Sequence, residues 1–159
     1  MIGDAVPHRS ADAGTCDLTW ICGCLVSGVT DPIIELPEIR VSVESVLYMP
    51  SLDAPEDRPH PFLYFICIHN ESAETVTIRA RKWIVRPASG AAGAVHVVEG
   101  DGVVGQTPTL KPGEDFSYNS YHVVPGDSVA EGAFFGEDGL GRRFCARIPA
   151  FQMEVPPWV

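Results

Sequence analysis

Glu99 to Pro112 reads E-G-D-G-V-V-G-Q-T-P-T-L-K-P, and the role of its three glycines decides the fold. Gly100, Gly102 and Gly105 spell G-x-G-x-x-G. At a strand-to-helix junction that spacing lets backbone N–H groups approach a pyrophosphate. Val95, Val97 and Val98 supply a strand before the loop, but nothing after it supports a helix. Pro108 and Pro112 interrupt the residues beyond the loop, and Thr107, Thr109 and Ser117 are poor helix formers. The glycines are therefore expected to provide positive φ in a turn between two strands.

Outward from this loop the chain keeps a period of two. Ile39, Val41 and Val43 alternate with Arg40, Ser42 and Glu44, the pattern of a half-buried strand. Ser51 to Pro61, crowded with prolines and acids, reads as a loop. Phe62 to His69 is apolar on both faces, as in the central strand of a packed sheet, with Cys67 as a small buried hydrophobe. Asn70-Glu71-Ser72 is a turn, and formally a glycosylation sequon. Thr75 to Val85 favours strand and, if regular, places Arg79, Arg81, Trp83 and Val85 on one face and Lys82 and Arg86 on the other. Further alternating runs end near His122, Phe135 and Ile148, with Cys145 expected to line the core. Pro149 to Val159 is expected to leave in extended form, with Trp158 docking on the body. Seven to eight short strands at this spacing predict an all-β chain folded as a two-sheet β-sandwich.

Composition narrows the function classes. A chain of 159 residues can bury one substantial core, and Gly 15 with Pro 14 favours many turns over long helices. A net charge of −10 repels polyphosphate backbones, so nucleic acid is not an expected partner. No apolar stretch reaches 18 residues, so no membrane-spanning helix is expected. Five unevenly spaced cysteines (Cys16, Cys22, Cys24, Cys67, Cys145) suggest neither a disulfide framework nor a zinc finger, and fit a cytoplasmic protein. Residues 1–35 read as an extension, a tail or an added strand, ahead of a domain over 36–159. No nucleophile elbow, H-E-x-x-H or P-loop lysine is present, and no catalytic residue, metal ligand or cofactor is assigned.

R-x-R-K-W-I-V at 79–85, the run from Glu99 to Tyr118, E-G-A-F at 131–134 and I-P-A-F at 148–151 resemble the ApaG family. I-R-V-S-V-E-S-V at 39–46 and the turn at 70–72 fit as well, so the similarity covers about residues 36–153. The resemblance implies a fibronectin-III or immunoglobulin-like sandwich and a non-enzymatic binding role, with a protein as the expected partner. It also implies two alternatives: phosphate, pyrophosphate or nucleotide binding at the glycine loop, or a role linked to cobalt and magnesium tolerance. An anion there would meet the backbone of Gly100, Gly102, Val103, Val104 and Gly105, with Arg81 or Lys82 as countercharge. Lys82 stands where the family commonly has His, and Glu99 and Asp101 bound the loop with negative charge. That local acidity favours a structural loop over an anion nest.

Overall fold

The computed structural model describes residues 32–89 and 93–159. Within them the chain forms nine strands and no helix: β1 (Ile34–Glu35), β2 (Ile39–Tyr48), β3 (His60–Asn70), β4 (Val76–Pro87), β5 (His96–Asp101), β6 (Thr109–Leu110), β7 (Asp115–Val124), β8 (Ser128–Asp138) and β9 (Arg143–Met153). The count exceeds the expected seven to eight because two-residue strands, β1 and β6, carry too short a pattern to read. β1 lies at the end of the expected extension and pairs in parallel with β9. The expectations for Cys16, Cys22 and Cys24 lie outside the described residues.

The strands form two facing sheets, a β-sandwich. One has the order β1-β9-β8-β4-β5, with β6 also on β4, and the other has the order β2-β3-β7. Ile66, Ile68, Ile78, Trp83, Phe134 and Phe144, each at most 2% exposed, fill the space between them. Trp83 meets Tyr64, His122 and Phe151 ring to ring, so it is a core residue. Phe116 is only partly buried against this core.

Several expectations need correction. β3 is the central strand of its sheet, but Phe65 is only half-buried because its register partners Ser45 and Asn119 lie on the outer face. Cys67 and Cys145 are both buried, as expected, and alternate along their strands with Ile66, Ile68, Phe144 and Ala146 of the core cluster. β9 runs past Ile148 to Met153, with Pro149 accommodated where the β8–β9 register shifts between Ala130 and Gly132. A bulge leaves room for a residue without an N–H. Trp158 is 82% exposed and does not dock. Asn70 is buried: its Nδ2 donates to the Glu74 and Leu110 carbonyls, and its Oδ1 accepts from Ser72. Both amide hydrogens are occupied, so the sequon serves the turn and not a glycan.

Candidate functional site

The edge of the larger sheet at β4 carries the glycine loop. β4 pairs with β5 over Ala80–Val85 and with β6 over Val76–Thr77. Between those stretches its pairing with β8 shifts register at Ile78/Ala80. Arg79 is the bulged residue, and residues 102–108 leave the sheet opposite it. The Gly102 N–H donates to the Arg79 carbonyl at 2.6 Å, and the Ile78 N–H donates to the Pro108 carbonyl. Val103, fully buried, plugs the core. Val103 and Gln106 exchange both backbone hydrogen bonds, and Val104 and Gly105 between them have φ of 48° and 75°. Positive φ at both central residues is the geometry of a tight I′ hairpin turn. Gly102 has φ of 57°, and a Cβ there would lie 2.0 Å from the Gln106 carbonyl oxygen.

The residues singled out in the sequence therefore take separate roles. Gly100 packs against the Arg81 guanidinium. Arg81 reaches over it from the inner face of β4, and its Nη1 donates to the Asp101 and Gly102 carbonyls at 3.1 and 3.0 Å. Lys82 points the opposite way and pairs with Glu99 at 2.7 Å. The N–H groups of Gly102 and Val103 are spent on Arg79 and Gln106. Arg81 and Lys82 also line a cleft of about 460 Å³ together with Arg79 and Arg143, faced by Glu99, Asp101 and Glu137. Arg79 and Arg143 escape sequence reading because the bulge in β4 and the β8–β9 pairing bring them there.

β5 itself is the second feature that sequence reading undervalues. Among the described residues it pairs on one side only, and its pattern of exposure spares neither face. Val95, Val97 and Val98 are 58%, 54% and 42% exposed, and Val104 at the adjoining turn is 51% exposed. The signal lay in V-H-V-V, which lacks the polar alternation expected of a strand with one wet face.

The described residues thus define a small two-sheet, all-β sandwich domain with an exposed apolar edge and a mixed-charge cleft beside it. The ApaG domain profile matches residues 50–136, and the chain belongs to that family. It is 40% identical over 122 residues to Protein ApaG of Rhodospirillum centenum, covering 74% of this chain and 88% of that protein. Protein ApaG of Shewanella halifaxensis is 35% identical over 119 residues, covering 74% and 91%. A crystal structure described as an ApaA protein from Bordetella pertussis superposes with a TM-score of 0.63 at 27% identity, covering 79% of this chain and 99% of that one. No helix among the described residues is long and apolar enough to cross a membrane.

Proposed function

We propose that this protein is a non-enzymatic, cytoplasmic binding module that takes up an extended segment of a protein partner along β5. The observation that carries this reading is the exposed edge: among the described residues β5 has no partner on one side, and with Val97 and Val98 exposed on it and Val95 exposed just before it, it offers main-chain hydrogen bonds for affinity and side-chain contacts for specificity. The net charge of −10, with Glu99 and Asp101 on the strand, favours a segment that alternates apolar and basic residues. Selection of displayed linear peptides on the full chain tests it. Selected peptides should have that composition, shift the amide NMR signals of residues 96–101, and lose binding to Val97→Lys. Binders whose shifts map to the opposite sheet would overturn the reading.

A second reading rests on the cleft, where Arg79, Arg81 and Arg143 have no carboxylate ion pair among the described residues. There a phosphate-class anion would be held by guanidinium groups, with Lys82 and the glycine loop at its border. Pyrophosphate titration should then saturate and weaken in Arg79→Gln and Arg143→Gln. Binding abolished by Gly105→Ala in a still-folded protein would instead assign the anion to the loop backbone.

A further inference from the structure

Two strands of the smaller sheet, β3 and β7, bring a thiol, an imidazole and a carboxylate together on its outer face. Cys67 and His69 are two apart on β3 and so share a face, and Asp115 is the register partner of His69 at the start of β7. His69 Nδ1 lies 2.8 Å from Asp115 Oδ1 and 3.8 Å from Cys67 Sγ. All three ligand-type atoms fall within 4.8 Å of one another. On the far side of the ring, Nε2 lies 2.9 Å from the hydroxyl of Ser42, which in turn contacts the Glu44 carboxylate. The neighbouring cation Arg40 is held by Glu71 at 2.9 Å.

We propose that Cys67, His69 and Asp115 form a zinc-binding site with an open fourth position. At zinc–sulfur and zinc–nitrogen distances of about 2.3 and 2.0 Å, a tetrahedral ion separates the sulfur and nitrogen by about 3.5 Å, a few tenths of an ångström inside the spacing found. The carboxylate must swing out by about 0.5 Å from its hydrogen bond to reach the same ion, which an exposed Asp115 can do. Ser42 supplies the outer partner that orients a ligating histidine: its single proton goes to Glu44, so its oxygen accepts from Nε2–H, and zinc takes the place of the proton that Nδ1 shares with Asp115. Thiolate with imidazole selects a borderline-soft ion over magnesium or calcium, which take oxygen ligands. Binding replaces the Cys67 S–H and His69 Nδ1–H bonds by sulfur–zinc and nitrogen–zinc bonds and releases both protons to solvent. The same serine, histidine and aspartate spacing evokes a nucleophilic triad, but a triad serine must donate to Nε2, and here Glu44 draws the hydroxyl proton away.

The test is zinc titration of the full, metal-stripped chain against a chromophoric chelator. Wild type should bind one zinc at micromolar concentration, with a shift of the His69 ring nitrogens. A chain with Cys16, Cys22 and Cys24 all changed to Ser should bind equally well. Cys67→Ser and His69→Gln should lose the ion, while Ser42→Ala should bind about 10–100-fold more weakly. Asp115→Asn changes only an exposed side chain and should also weaken binding in a protein of unaltered fold. Zinc retained by a Cys67→Ser, His69→Gln double variant would overturn the proposal, as would no saturable binding by wild type. Ester hydrolysis by the metal-free protein, lost in Ser42→Ala, would overturn it in favour of the triad.

Discussion

Trp83 stands between Val98 and Gly132 on the inner face of β4 and is 1% exposed. Its loss removes a large buried side chain that no neighbour can replace, so Trp83→Ala should cost roughly 3–5 kcal/mol in denaturant unfolding. His122 packs against the same ring at 4.9 Å, and burial lowers its pKa from 6.5 to about 4. The native state therefore holds it neutral, while an unfolded chain would protonate it near pH 6.5. Its share of the stability is complete above that pH, falls as the pH drops from 6.5 toward 4, and is at most roughly 3 kcal/mol. Unfolding at pH 7 and pH 4.5 should show a smaller loss in His122→Gln than in wild type. Asp138 at the next hairpin also loses its contribution as the pH falls, but for a different reason. Desolvation raises its pKa, but hydrogen bonds from Arg142 and Leu140 outweigh this and hold the carboxyl below its usual range. Its contribution is accordingly present above the ordinary carboxylate range and disappears only at still lower pH.

At the scale of elements, the turn from Val103 to Gln106 breaks a local rule. Val104 is β-branched and sits at φ of 48°, where Asn or Gly is the usual choice. Val104→Asn should relax that conformation and stabilise the protein by about 1 kcal/mol. Gly105→Ala, at φ of 75° with open space around it, should destabilise by about 1–2 kcal/mol through backbone strain alone. Opposite signs at adjacent positions, measured by thermal unfolding, would establish that conformation rather than contact governs the turn. An exposed valine kept in a costly conformation is also what a binding surface would require, so Val104→Asn should weaken capture of a segment at β5 while raising stability.

For the molecule as a whole, the two edges of the larger sheet differ in how they are finished. β1 is two residues long, and its Glu35 carboxylate accepts from Arg147 of β9. β5 is six residues long, with Val97 and Val98 exposed on its two faces. Placing a lysine on such an edge is a common defence against strand pairing. Val97→Lys should thus leave unfolding within about 0.5 kcal/mol of wild type, as for other surface changes. It should also suppress concentration-dependent self-association in sedimentation. A loss of several kcal/mol would show that β5 is held by contacts on both faces.

Alternation and turn chemistry were legible in the chain because both are local. Ile39–Val43 and Phe62–His69 announce strands, and the prolines after Gly105 forbid the helix that a dinucleotide loop needs. Those features alone determined an all-β sandwich and a structural turn at the glycines. Local pattern could not reveal the bulge at Arg79, which shifts the face that β4 presents and opens the cleft. Nor could it show which strand would be left at the edge, since exposure of Val97 depends on what fails to pair with β5. Cys67 and His69 are two residues apart and share a face by simple periodicity, but Asp115 and Ser42 reach them only through the β3–β7 and β2–β3 registers. Contacts that span 27 and 46 positions of the chain arise from strand pairing, and strand pairing is a property of the folded chain.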